Sequence, residues 1–175
     1  MFKSLFRPKV VEREALELYA KAVDQARLPS FYTDLGVEDR IDARFELYTL
    51  HVLLLFVRLR HENTRSAELA QKLFDHYISS LDNALRELGV GDVSVGKKMR
   101  KLGEAVYGRM STYEKALTDN DVDSLKIALA RNVFESEDAE KAAKLADYTA
   151  ESHKLLSEQT IAEVEAAPNW AKIVK

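Results

Sequence analysis

Gly91-Asp92-Val93-Ser94-Val95-Gly96-Lys97-Lys98 is the stretch that decides the fold of this chain, because it comes within one residue of a phosphate-binding P-loop. A P-loop needs a serine or threonine directly after its lysine to hold magnesium, and Lys98 stands there instead. The loop must also follow a β-strand, whereas the apolar residues before it repeat at helical spacing: Leu73, Phe74, Ile78, Leu81, Leu85 and Leu88. The stretch therefore predicts a corner between two helices and no nucleotide site.

Helical spacing continues on both sides of this corner. Residues 66–88 predict one helix, and Gly89 follows as its C′ residue because glycine adopts the left-handed conformation of a helix cap at little cost. Ser94 is the predicted N-cap of the next helix, whose apolar residues keep the spacing as far as Leu117. Four residues make up the predicted structural corner: Gly89, Gly91, Asp92 and Gly96.

Residues 41–59 form the most apolar predicted helix, which is apolar on almost every side and so belongs at the centre of a bundle. His51 lies within it, and a buried imidazole needs a partner for both ring nitrogens. Charged residues of the same helix stand at unsuitable offsets, so a partner from another helix is expected. Axial coordination of a haem is the alternative, but no second ligand can be named, and a hydrogen-bonded core histidine is preferred.

The other predicted helices are less apolar. Residues 10–27 form one that ends at Leu28-Pro29, because proline disfavours helix in the residue before it. Residues 121–132 form a short helix, and residues 138–165 form an alanine-rich one, capped by Ser136, whose few large apolar residues suit a peripheral position. Since no segment alternates like a strand, the prediction is all-α, a single compact helical bundle of six or seven helices.

One domain is expected for residues 1–175, since 46% hydrophobic residues over this length suffice for a single core. Its predicted parts are a core at 10–118, peripheral C-terminal helices at 119–165, and tails at 1–9 and 166–175. The most apolar run lasts six residues, Val52 to Val57, whereas a membrane span takes about 20.

The first residues, Met1-Phe2-Lys3-Ser4-Leu5-Phe6-Arg7-Pro8, lack the long apolar region and cleavage site of a secretory signal. Two interpretations stay open for them. They form a disordered start, or an interfacial hook in which Phe2, Leu5 and Phe6 touch lipid or a partner groove.

Chemical motifs are missing or incomplete in this sequence. Without cysteine there are no disulfides or thiolate metal sites. Asp119, Asp121 and Asp123 begin like a calcium loop, but its glycine and its final glutamate are absent, so these acids are expected to cap the following helix. The four histidines fit neither zinc nor di-iron spacing. We therefore predict no metal, no cofactor and no catalytic residue.

A cluster of bases occupies the start of the helix after the corner: Lys97, Lys98, Arg100 and Lys101. They are predicted to lie in its first two turns, where the helix dipole favours acids. An anionic surface would account for them, whether RNA phosphates, lipid headgroups or an acidic partner, and solvated lysines are the alternative. Gly96 and Gly103 share one side of this helix and would let another backbone approach closely. Residues 119–165 carry twelve acids and five bases, which indicates a second face of opposite charge.

A series of short motifs occurs in a fixed order along the sequence: Phe31-Tyr32, Leu35-Gly36-Val37, Asp42, Arg44-Phe45-Glu46, Leu50-His51, Leu73-Phe74-Asp75, Asp82, Leu85-Arg86-Glu87, Gly89-Val90-Gly91-Asp92, Ser94-Val95-Gly96-Lys97 and Tyr107-Gly108-Arg109. Through these motifs the sequence resembles the ubiquinol–cytochrome c reductase assembly chaperone family over roughly residues 12–118. Leu81 and Leu88 stand where that family usually has methionine.

The resemblance implies a non-enzymatic role. Mitochondrial relatives act with a small partner subunit near the ribosome exit and hold newly made cytochrome b on its way into the bc1 complex. A bacterial member would have cytochrome b as its client, a cytoplasmic location and peripheral contact with the inner membrane, with no DNA partner. Eight residues are the candidates for binding a partner or an anion: Lys97, Lys98, Arg100, Lys101, Arg109, Tyr107, Phe31 and Tyr32.

Two other functions stay open. A ribosome- or RNA-binding module would act through the basic helix, and its affinity would depend strongly on salt. An α-helical enzyme on an isoprenoid or a quinone would need a deep pocket with convergent polar groups, and the absence of paired carboxylate motifs argues against it.

Overall fold

Helices make up the regular structure of residues 3–173, the part of the chain that the computed structural model describes; for residues 3–9 this covers the backbone alone. Six helices there have 12 residues or more: α1 Lys3–Ala26, α3 Ile41–Leu59, α4 Thr64–Glu87, α5 Asp92–Thr118, α6 Val122–Val133 and α7 Ala143–Glu158. Shorter elements are α2 Ser30–Thr33, a 3-10 turn Ala139–Ala142 and α8 Ile161–Ala166. No strand occurs in that range, and the all-α prediction is confirmed.

Helix α3 lies at the centre of the bundle, as its sequence predicts. Eleven of its 19 residues are buried, because apolar side chains surround it on nearly every side. It packs against α1, α4, α5, α6 and α7. It therefore touches all the other long helices, which also pack directly on one another, α1 against α4 above all.

The two helices at the corner begin earlier than predicted. Asn63 caps α4 in a reciprocal pair with Ser66, which moves its start two residues towards the N-terminus. The prediction of Ser94 as N-cap of α5 is wrong. Gly91 takes that position, since its carbonyl accepts the first bonds of the helix from Ser94 N (2.8 Å) and Val95 N (3.1 Å).

The N-terminal helix is also longer than predicted. α1 starts at Lys3, so residues 3–9 continue the helix and are not a tail. The interfacial hook considered for Phe2, Leu5 and Phe6 lies outside the described part of the chain, since Phe2 and the side chains of Leu5 and Phe6 are not described.

The alanine-rich helix predicted at 138–165 is divided into three pieces. Asp138, not Ser136, caps the first by accepting from the Glu140 amide at 3.1 Å. A second break follows α7, where Thr160 and Glu163 form a capping box that starts α8. Arg58 from α3 donates to the carbonyls of Leu156 (2.9 Å) and Gln159 (2.7 Å) and so satisfies the exposed end of α7.

The C-terminal region reaches the core, contrary to the prediction of peripheral helices at 119–165 and a tail at 166–175. Tyr148 of α7 is buried and bonds to α3. Residues 167–173 fold back over the same place: Trp170 packs edge-on to His51, with ring centroids 5.1 Å apart, and the Ala171 amide donates to Ser152 at 3.0 Å. These residues are therefore part of the packed domain.

Candidate functional site

The corner between α4 and α5 is built on Gly89. This glycine has φ +80° and follows α4 as predicted. Its amide bonds to the carbonyl of Arg86 at 2.9 Å, and the Val90 amide bonds to the carbonyl of Leu85 at 3.0 Å, which is the Schellman arrangement of a helix end. The Arg86 guanidinium bridges Asp82 in α4 and Asp92 in α5. The turn that resembles a P-loop is thus a helix end and a helix start.

The far half of the α4–α5 hairpin lies outside the main core. Among the described residues, Leu81 is the last of α4 that packs against the core, and the next member of the core is Val106. Val95 is buried but belongs to no part of that cluster. From Leu81 to Glu87 the α4 axis runs for about 9 Å at the rise of an α-helix. The corner therefore stands at the end of a projecting hairpin.

One side of α5 is largely exposed, and we call it the α5 outer face, although Tyr107 on it contacts Phe74 of α4 with ring centroids 5.9 Å apart. Helical spacing places six residues on it: Val93, Gly96, Lys97, Arg100, Gly103 and Tyr107. Two of these are large and apolar yet exposed, Val93 by 99% and Tyr107 by 59%. The α5 outer face therefore combines two exposed apolar side chains with the cations Lys97 and Arg100.

The glycines of this face leave open space beside α5. A methyl group added at Gly96 or Gly103 would meet no described atom within 4 Å, and the same holds for Gly108. Glycine inside a helix costs about 1 kcal/mol relative to alanine. Among the described residues, no contact at Gly96 or Gly103 offsets that cost.

The predicted basic residues are all exposed on α5. They lie in its second and third turns, not its first two, because the helix starts at Asp92. Arg100 comes to 3.9 Å from Glu104. Within the described residues, Lys97, Lys98 and Lys101 form no ion pair. Their charges are available to an anion.

Three other candidates are placed less favourably for binding a partner. The proposal of Phe31 as a binding residue needs correction, because Phe31 is fully buried and packs edge-on to both His51 (5.3 Å) and Tyr148 (5.0 Å), measured between ring centroids. Arg109 is engaged inside the domain by Glu46. Tyr32 is half-buried, and burial raises the pKa of its hydroxyl.

His51 has both of the partners that a buried imidazole requires. Nδ1 lies 2.7 Å from the carbonyl of Leu47, which makes it the protonated nitrogen, so Nε2 accepts from the hydroxyl of Tyr148 at 2.8 Å. Burial lowers the pKa of His51 to about 4, against the small opposing effect of the Leu47 carbonyl. The predicted partner from another helix is confirmed, and His51 is a neutral core residue.

Two grooves flank α7. One of about 380 Å³ is lined by Leu35, Tyr148 and Ile173 among others. The other, of about 470 Å³, lies beside α6 and includes Asp121 and His153. Charged side chains line both grooves, Asp147 and Glu151 among them, but both are open to solvent and so differ from the enclosed pocket that an enzyme on a small apolar substrate needs.

The described residues hold no group of histidines and acids suited to a metal ion. Asp121 caps α6 by accepting from the Ser124 amide at 3.0 Å, as expected for the incomplete calcium loop. In residues 3–173 no helix has the length and apolarity of a membrane span.

Sequence reasoning missed the exposure of Leu88 and Val93. Leu88 continues the apolar spacing of α4, which predicts burial, yet it is 63% exposed. The apolar residues of α5 repeat at helical spacing from Val95 onwards, and Val93 does not fit that spacing. This offset is the sequence signal that Val93 is exposed.

Comparison with known proteins gives three findings. The family model described as ubiquinol-cytochrome C chaperone matches residues 33–169, which extends past residue 118 into α8 and beyond. A curated relative, the ubiquinol-cytochrome-c reductase complex assembly factor 1 of Xenopus laevis, is 22% identical over 136 residues, or 77% of this chain and 68% of that protein. The crystal structure of the Cbp3 homolog from Brucella abortus is 33% identical, with a TM-score of 0.87 over 99% of this chain and 98% of that chain.

Proposed function

The chain belongs to the ubiquinol-cytochrome c chaperone family, and on that premise we propose that it binds newly made cytochrome b and delivers it into the ubiquinol–cytochrome c reductase complex. The observation that carries this proposal is the family match over residues 33–169, and a relative that is named an assembly factor of that complex supports it. The role is a non-catalytic one. The open grooves beside α7 favour binding by a surface over chemistry in a pocket.

We place the client on the α5 outer face. An apolar nascent segment can approach a helix closely where side chains are small, and Gly96 and Gly103 leave that space open. Tyr107 offers a large exposed ring next to Gly103 on this face. The cost of the glycines to helix stability is understandable if their smooth surface receives another helix.

A role at the ribosome is the second candidate function. Its support is the set of cations Lys97, Lys98 and Lys101, which form no ion pair with any described residue and suit RNA phosphates. The two roles are compatible, because a chaperone that meets its client during synthesis works beside the ribosome. A small partner subunit and a place on the cytoplasmic side of the inner membrane belong to the same proposal.

Affinity purification from a strain deleted for the gene and complemented with tagged protein tests the client. We expect enrichment of cytochrome b over other membrane proteins and recovery of bc1 activity. The double variant Gly96→Leu with Gly103→Leu should fold, since both positions face open space, yet lose cytochrome b. Ala20→Leu, on the exposed side of α1, adds similar bulk elsewhere and is the matched control.

The outcomes separate the client from its surface. If the original protein fails to enrich cytochrome b, the proposed client is wrong. If the original protein and the double variant enrich it equally, the client stands and the α5 outer face is not its docking surface.

A further inference from the structure

We propose that the end of the α4–α5 hairpin docks on an anionic lipid surface, with Leu88 and Val93 entering the interface and Lys97 and Lys98 contacting phosphates. We call these four residues the hairpin tip. The proposal deepens the proposed function, because a membrane-protein client is inserted at such a surface. It is carried by the exposure and charge of the tip and does not depend on the identity of the client.

The apolar part of the tip is formed by two residues on opposite sides of the glycine corner. Leu88 closes α4 and is 63% exposed, while Val93 lies in the first turn of α5 and is 99% exposed. Scattered apolar residues on a protein surface are ordinary. Two of them at the outermost point of a projecting hairpin, next to cations, form the pattern of an interfacial anchor.

The charge of this region is opposite to that of the chain. Residues 86–101 carry five bases against two acids, whereas the whole chain has a net charge of −3. Asp92 is paired with Arg86, which leaves Lys97 and Lys98 without an acid partner in the described residues. An anionic surface would repel the acidic region at 119–165 and attract the tip, so the charge distribution orients the protein.

The shape of the hairpin favours a membrane over RNA as the occupant. The tip is the loop end of a hairpin that continues past Leu81, the last described residue of α4 that packs against the core. RNA phosphates would engage the lysines and would leave Leu88 and Val93 in water. The boundary between headgroups and acyl chains accommodates both kinds of side chain at once.

Sedimentation of the purified full-length protein with vesicles tests the proposal. The vesicles are phosphatidylcholine alone or with about 30% phosphatidylglycerol, at about 0.1 M salt, where charges interact over about 10 Å. We expect binding to the anionic vesicles only, with affinity that falls as salt rises. Leu88→Ser with Val93→Ser should weaken binding about tenfold or more, and Lys97→Gln with Lys98→Gln about tenfold.

Ile41→Ser is the matched control, because Ile41 is 67% exposed at the start of α3 and lies outside the hairpin. Circular dichroism confirms that each variant is folded. The same proteins are titrated with single-stranded RNA in parallel.

Absence of binding to anionic vesicles overturns the proposal. Vesicle binding that is unchanged in the Leu88→Ser, Val93→Ser variant also overturns it. A third contrary result is binding to RNA that only the lysine substitutions weaken, with no binding to vesicles. Since no cytochrome b is present, these results are independent of whether the client assignment holds.

Discussion

Arg109 of α5 donates from Nε to Oε2 of Glu46 in α3 at 2.6 Å, and a second hydrogen bond joins the same two side chains. Glu46 is 5% exposed, so this bidentate pair is almost entirely inside the domain. Burial raises the pKa of the Glu46 carboxyl, and the hydrogen bonds and charge of Arg109 oppose that rise. The pair fixes the start of the projecting hairpin to the central helix.

Loss of Arg109 should therefore destabilise the domain. In Arg109→Met the Glu46 carboxylate is left buried without its partner, and we expect the free energy of unfolding to fall by about 3 kcal/mol. The pKa of Glu46 should rise further. Since a raised folded pKa favours the protonated form, the variant should be more stable in mild acid than above neutrality, as measured by urea unfolding. A variant as stable as the original at every pH would show that the pair contributes nothing.

His51 should make the protein sensitive to acid. Its folded pKa of about 4 lies below the ordinary value of 6.5, so the stability from the neutral imidazole is complete above 6.5 and is lost as pH falls towards 4. Between about pH 7 and about pH 5 this amounts to about 2 kcal/mol. His51→Gln, which does not titrate, should show a correspondingly flatter dependence in urea unfolding. Identical pH profiles would contradict the assignment of His51 as a neutral core residue.

Two glycines should respond in opposite directions to alanine. Gly89→Ala places a side chain at φ +80° and should cost about 1 kcal/mol. Gly103→Ala meets open space in the middle of a helix and should gain up to about 1 kcal/mol. Thermal unfolding measures both, and each serves as the control for the other. If both substitutions shift the melting temperature the same way, the assignment of one position is wrong.

The basic residues should matter for binding more than for folding. Lys97, Lys98 and Lys101 lie beyond the first turn of α5. The effect of the helix dipole on them is small, because it falls off within the first turn. Replacing all three with glutamate should change the unfolding free energy by less than about 1 kcal/mol. Association with an anionic partner should fall, and the difference should shrink as salt increases. If the triple variant restores bc1 assembly in a deletion strain as well as the original, the lysines are only solvated.

Local chemistry explains what could be predicted from the sequence. The stripe of α4, the left-handed cap at Gly89 and the cap at Asp121 depend on residues within one or two turns. The need of His51 for a partner from another helix could also be predicted from the sequence, because its own helix offers no suitable side chain.

The exact starts of the helices could not be predicted from the sequence. Several residues near 91–94 could begin α5, and the hydrogen bond from the Ser94 amide to the Gly91 carbonyl decides between them.

By itself the sequence determined an all-α domain, its family and the charge asymmetry between the basic start of α5 and the acidic residues 119–165, because periodicity, motif order and composition are properties of the chain. Tertiary structure alone decided that Tyr148 completes His51, that Glu46 holds Arg109, and that Phe31 is buried although its motif suggested a binding residue. Those partners are far apart along the chain. Burial and pairing depend on which segments pack together, and short-range patterns carry no information about that.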